Sequence, residues 1–294
     1  MTHYGALEAG GTKMVLSVLD ETGAILERVS MPTGTPEDTM PGMIAFFRDH
    51  PVRALGIGCF GPLDLDMASP TWGSITATPK LPWRNYPIVP AFREALNIPI
   101  GVDTDVNAAA LAEARLGAAK GLGSCLYVTV GTGVGGGLII GGRPVHGLTH
   151  PELGHMLLAP VPGDPTPDGF CPYHKHCVEG LAAGPAIQKR WGVPAQELPP
   201  EHPAWALEAD YLAQMCLNAI MAFSPEKIIL GGGVMGQRFL LPMIRERTVA
   251  LLGGYLSNPV VDRGLEDYIV APGLKENSGV MGAYLLAREA EACG

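Results

Sequence analysis

The chain has 294 residues, of which 47% are hydrophobic and 17% charged, a balance that excludes disorder and permits a large core, more in keeping with two lobes than one domain. A formal net charge of −9 leaves no basic surface for a phosphate backbone, so nucleic acid is not an expected partner. No apolar run is long enough to span a bilayer, and MTHYGALEAGG lacks the basic-then-apolar layout of a secretion signal, so a cytoplasmic protein is expected.

In chain order, YGALEA, KMVLSVLD and AILERVS have the short apolar runs and β-branched residues of strands, separated by the turns GGT and ETG. A helix is predicted over 36–49, opened by Pro36, Glu37 and Asp38. ALGIGCFGPLDL then returns as a buried strand, followed by a Pro/Gly-rich loop region to about residue 87. After a short helix in IVPAFREAL, IPIGVDTDVNAAALAEARLG predicts a strand, a loop with Asp103 and Asp105, and a helix capped near Asp105 or Asn107. Residues 123–145 repeat the opening grammar: SCLYVTV, GTGVGG, GLII, GGR. Two such units imply two lobes on related plans. Residues 184–224 are mainly helical in pattern, KIILGGGV is a buried strand with glycines leading to another helix, and NSGVMGAYLLAREAEA is a terminal helix.

The glycine turns carry the first functional signal. GTGVGG at 131–136 fits G-x-G-x-x-G, but an apolar strand follows it instead of a helix, and no acidic residue stands at the expected ribose distance. A dinucleotide fold is therefore rejected. Tight hairpin turns hold phosphate in a different way, by directing consecutive amides inward. Gly10, Gly11 and Thr12 offer that cradle once, Gly131, Thr132 and Gly133 a second time, and Gly231, Gly232 and Gly233 follow a third strand. A lone loop of this kind is more often a plain hairpin, whereas the set of three points to nucleotide binding.

The six cysteines form no disulfide framework. Cys59, Cys125 and Cys216 lie in apolar surroundings and read as core thiols. In FCPYHKHCVEG, Cys171, His174 and Cys177 have metal-ligand spacing, and zinc requires a fourth ligand. His176 is the local candidate and His155 the distant one. His155 is preferred because it closes a loop and gives the ion a structural task.

The segments LEAGGTK, TDVNAAALAE, VTVGTGVGGGLI, HPELGHM, CPYHKHCVEG and ILGGGV occur in an order that resembles sugar kinases of the ROK family, over nearly the whole chain. Within that family the likeness is greatest to the zinc-containing bacterial fructokinases. The resemblance implies an α/β, two-lobed actin-like ATPase fold (ribonuclease H-like) with the active site between the lobes, and a homodimer. The expected division is a smaller lobe over 1–115, a larger lobe over 116–278, and a helix at 279–292 packing back on the smaller one. ROK transcription regulators carry a DNA-binding segment ahead of the kinase-like region; this chain starts on the first phosphate-loop strand, so a regulator is disfavoured.

Phosphoryl transfer to a sugar hydroxyl needs alignment, charge neutralisation and a carboxylate to take the proton. Asp105 matches the family's catalytic aspartate, with Asp103 the rival in the same loop. Thr104 stands where many relatives have Asn, a departure that puts one of the family's sugar contacts in doubt. Asn107 is a candidate to orient substrate, or only to stabilise the helix start. The resemblance assigns Glu152 and Glu179 to sugar hydroxyls and allows His155 to face sugar with its second ring nitrogen. Glu8 precedes the first loop and is a candidate to hold Mg²⁺ through water; Lys13 is either a phosphate cation or a solvated strand residue. The expected reaction is ATP-dependent phosphorylation of a hexose, D-fructose at its 6-hydroxyl first, mannose or glucose next, with structural Zn²⁺, and with Mg²⁺ accompanying ATP.

Overall fold

Strands β1 (His3–Ala9) and β2 (Lys13–Asp20) are buried along nearly their whole length. Such strands lie inside a sheet covered on both faces, which explains why their sequences read as apolar runs rather than strict alternation. The partner at the sheet edge, β3 (Ile25–Pro32), is exposed and carries Glu27, Arg28 and Ser30. Helix α1 (Pro36–Asp49) follows, its N-cap Thr35 accepting from the Asp38 amide. β4 (Leu55–Cys59) then adds parallel to β1. Beyond α2 (Ile88–Leu96), β5 (Ile100–Thr104) adds parallel to β4, and α3 (Asp105–Arg115) begins at once. This computed structural model describes residues 2–293.

The second half repeats the plan. β6 (Ser124–Val130), β7 (Val134–Ile140) and β8 (Arg143–Pro144) form an antiparallel meander. A long loop then leads to α4 (Val178–Ala182), α5 (Gly184–Trp191) and α6 (Ala204–Phe223). β9 (Ile228–Gly231) joins parallel to β6; after α7 (Leu240–Leu252) and α8 (Pro259–Asp262), β10 (Ile269–Val270) joins parallel to β9. The chain ends in α9 (Ser278–Cys293). The strand orders β3-β2-β1-β4-β5 and β8-β7-β6-β9-β10 correspond one for one, with the same orientations. The repeat visible in two glycine turns thus extends to whole sheets.

Separate cores fill around each sheet. Leu7, Leu16, Ile57 and Phe92 belong to the first, and Val128, Leu230, Trp205 and Ile244 to the second. Between the sheets run α3 and α9. Ala108–Leu111 of α3 packs on Cys125, Tyr127 and Ile139, whereas Val280, Ala283 and Ala287 of α9 cover Tyr4, Ala6 and Val15. The two helices touch closely, since a Cβ on Gly282 of α9 would overlap the carbonyl of Ala108 of α3, and α9 lies as close to β4, where one on Gly56 would overlap the carbonyl of Ala283. Only glycine lets the backbones meet there. Cys59, Cys125 and Cys216 are fully buried, as their surroundings in the sequence indicate. No helix among the described residues is long and apolar enough to cross a membrane.

Candidate active site

The first glycine turn is braced from both sides. The Gly10 amide donates to the Lys13 carbonyl at 3.0 Å, the Thr33 amide to the Thr12 carbonyl at 3.0 Å, and the Thr33 hydroxyl to the Gly10 carbonyl at 2.8 Å. In the second turn, the Gly131 amide donates to the Gly133 carbonyl at 2.9 Å, and the Gly184 amide reaches the Gly131 carbonyl at 2.8 Å. The two turns meet, with the hydroxyl oxygens of Thr12 and Thr132 3.4 Å apart. The third turn lies beside the second. Gly232 has φ of 91°, which a side chain would strain, and Gly233 approaches Gly131. A cavity of about 310 Å³ opens here between Gly131, Gly184, Gln188, Gln196 and Gly233, the small end of the range for ligand pockets.

Asp103 and Asp105 have different surroundings. Asp103 is buried, with Oδ1 accepting from the Thr104 amide (2.7 Å) and Asn107 Nδ2 (2.8 Å), and Oδ2 3.0 Å from His146 Nε2. That bond raises the His146 pKa. Asp105 accepts from the adjacent Val106 amide, at 2.9 Å, and among the described residues no side chain donates to it. Burial pushes its carboxyl up to about 6. Neither Asp105 nor Asn107 caps α3; Thr104 does, its hydroxyl accepting from the Asn107 amide at 3.1 Å. A Thr in this position can cap the helix where a carboxylate would otherwise be needed, which leaves Asp105 free. The Asn107 side chain is fully enclosed beneath half-exposed His146, and its Oδ1 has no protein partner.

Glu8, at the end of β1, lies against Gly279 in the first turn of α9. Its pKa is raised by burial and by the charge of Asp105, and eased downward by Lys13. Two carboxylates that repel one another beside a phosphate cradle form the donor set a hydrated divalent cation suits.

Glu152 and Glu179 bracket the loop before α4. Burial, and then the charges of Asp105 and Glu179, push Glu152 up to about 7. Glu179 Oε2 accepts from the Val134 amide at 3.0 Å, immediately after the second glycine turn. One of its oxygens is therefore committed to that turn, a connection with no signal in the sequence. His150 was likewise not legible. Its buried Nε2 accepts from the Leu63 amide at 3.0 Å, so the proton of the neutral ring sits on Nδ1, which faces Glu152 Oε1 at 3.3 Å. Burial lowers the His150 pKa, in keeping with that neutral form.

The Cys/His residues converge. His155 Nδ1 lies 3.8 Å from Cys171 Sγ and 3.9 Å from Cys177 Sγ, and His174 Nδ1 lies 3.8 Å from Cys171 Sγ. All four ligand atoms fall within 4.8 Å of one another. Tetrahedral zinc places N and S ligands roughly 3.5 Å apart, so this set fits the ion. His176 is turned away: its φ is 59° and its Nδ1 is 2.7 Å from the Pro167 carbonyl. Backbone bonds from Leu158 to His176 (2.8 Å), Val178 to Met156 (3.0 Å) and Phe170 to Gly180 (2.8 Å) fold the loop onto itself. Glu152 and Glu179 are anchored at its two ends.

Comparison with known proteins bears on the whole chain. The ROK family pattern matches residues 4–290. A fructokinase of Pediococcus pentosaceus is 48% identical over 286 residues, covering 97% of this chain and 98% of its own. The fructokinase of Zymomonas mobilis is 44% identical over 296 residues, covering 98% and 97%. The crystal structure of a ROK family glucokinase from Streptomyces griseus, in complex with glucose and AMPPNP, superposes with a TM-score of 0.79 at 26% identity, over 98% of this chain and 99% of that one. Two sheets built on one plan, with glycine turns meeting between them, are the actin-like ATPase architecture of those kinases, and the chain belongs to the ROK family.

Proposed function

We propose that the protein transfers the terminal phosphoryl group of ATP to the 6-hydroxyl of D-fructose. The observation that carries this is the meeting of the Thr12 and Thr132 turns, with Asp105 unpaired nearby in charge contact with Glu8. Fructokinases at 40–48% identity over nearly the full chain support the choice of sugar.

The nucleotide's base and ribose would occupy the cavity between Gly131, Gly184 and Gly233, with its phosphates on the amides of 11–12 and 132–133, those of Gly10 and Gly131 being spent within their turns. Sugar hydroxyls would be held by Glu152, by the uncommitted oxygen of Glu179 and by His155 Nε2. Asn107, enclosed behind Asp103, donates to one oxygen of that carboxylate, whose other oxygen accepts from His146, and so acts by positioning Asp103. In the chemical step O6 forms a bond to the γ-phosphorus, the bond to the β,γ-bridging oxygen breaks, and ADP departs with that electron pair. Asp105 takes the O6 proton, which requires its ionised form.

Glu8 would hold Mg²⁺ through water, and the ion offsets phosphate charge when bound. Zinc held by His155, Cys171, His174 and Cys177 would fix the loop carrying the two glutamates. Lys13 lies on the Glu8 side of the first turn, where its charge offsets that carboxylate. A homodimer is the expected assembly. We place the lobe boundary near residue 115, with α9 packing on the first sheet and α3 on the second, a crossing of the two helices that supports two related lobes. A coupled assay across fructose, mannose and glucose tests the substrate: fastest turnover on fructose is expected, and preference for glucose would overturn the choice.

A further inference from the structure

Lys80 lies in the long loop between β4 and α2, far in sequence from either glycine turn. Its stem passes over the first of them. A Cβ on Gly11 would stand 3.0 Å from Lys80 Cε and 3.9 Å from Nζ, so the glycine leaves the space that this side chain crosses. Among the described residues no carboxylate pairs with the ammonium. A half-buried lysine without a counter-ion, held against a turn of inward amides, is the arrangement an anion completes.

The position is built rather than incidental. Lys80 opens a 3-10 turn over Leu81–Trp83, its amide donating to the Thr78 hydroxyl at 3.3 Å and its carbonyl accepting from Trp83 at 2.8 Å. Trp83 is buried, stacks edge-on with Phe60 and Tyr86, and donates Nε1 to the Gly34 carbonyl at 2.8 Å. Gly34 follows Thr33, the residue that braces Gly10 and Thr12. The root of Lys80 and the phosphate turn are thus fastened to the same stretch of chain.

We propose that Lys80 is a catalytic residue whose ammonium contacts the terminal phosphoryl group during transfer. This rests on the kinase reading above. In the transition state charge is spread over the three equatorial oxygens and develops on the departing bridging oxygen, and a cation fixed against that geometry stabilises it more than it stabilises bound ATP.

The test compares wild type with Lys80→Met, which keeps the stem without the charge, and Lys80→Arg, which keeps a charge. With fructose and ATP, Lys80→Met is expected to lose about 100-fold or more in kcat, and Lys80→Arg to recover part of it. Affinity for AMPPNP is expected to fall in Lys80→Met while affinity for ADP holds, and the melting temperature to stay at the wild-type value. Lys80→Met with kcat near wild type, or an equal loss of ADP and AMPPNP binding, would overturn the proposal and leave the kinase assignment standing. A wild-type chain that phosphorylates no hexose would sink both.

Discussion

Thr12 and Thr132 are 120 residues apart in the chain, and their hydroxyl oxygens lie 3.4 Å from each other. Each tips a glycine turn at the same position of its own sheet. Two hydroxyls and two sets of amides therefore converge on one point, where a triphosphate would be gripped from both sides. Replacing either threonine by valine removes one donor to a charged group, a contact worth about 1.5–3 kcal/mol. Each variant is expected to lose about 10- to 100-fold in kcat/KM for ATP, with hexose KM little changed. Unaltered ATP kinetics in both would show that the turns do not hold the nucleotide.

Asp105 sets a second expectation. Burial raises its pKa to about 6, and the base must be ionised to accept a proton. kcat/KM, which reports the free enzyme, should fall about tenfold per unit as pH drops below that value. Asp105→Asn should lose about 1,000-fold or more in kcat while binding both substrates. Stability moves in the opposite sense. Between the ordinary value of 3.8 and about 6 the folded chain holds a proton that the unfolded chain has released, so native stability falls as pH rises through that window. Asp105→Asn should melt above wild type at pH 8, the difference closing below pH 4. A variant with near-normal turnover would move the base to another residue.

His150 ties the loop after β4 to Glu152, the carboxylate proposed to hold sugar. In His150→Leu the Leu63 amide is left buried without an acceptor, at a cost of about 1–3 kcal/mol. Melting is expected about 2–10 °C lower. Glu152 also loses the group it faces, so hexose KM should rise more than ATP KM. Calorimetry and initial rates measure both; an unchanged hexose KM would remove His150 from the sugar site.

The cysteine–histidine loop predicts one zinc per chain by elemental analysis. Chelation should weaken hexose affinity while far-ultraviolet circular dichroism is still native, because the ion would fasten 150–180, a segment outside both five-stranded sheets that adds only Leu153, Leu158 and Val178 to the buried residues of the second core. Cys171→Ser should reproduce the loss. Metal-free protein with full hexose affinity would exclude the site.

Glycine turns, buried strands and the spacing of Cys171, His174 and Cys177 were legible in the sequence, because each depends on neighbours a few positions away. So was helix α1, with Thr35 and Pro36 at its start. The cap of α3 was misplaced by one residue or more, since Thr104 and Asp105 are both good capping types and their side-chain directions follow from the strand before them.

The sequence by itself determined the two glycine-turn units, the metal-ligand spacing of Cys171, His174 and Cys177, and the pair of aspartates from which a base is chosen. Only tertiary structure decided that Asp103 is consumed by Asn107 and His146, that His176 turns outward, that His150 faces Glu152, and that Lys80 passes over the first glycine turn. Local chemistry is written in short spacings, whereas a carboxylate's freedom depends on which donors arrive from the far side of the fold, and the packing of α3 and α9 between two sheets brings them there.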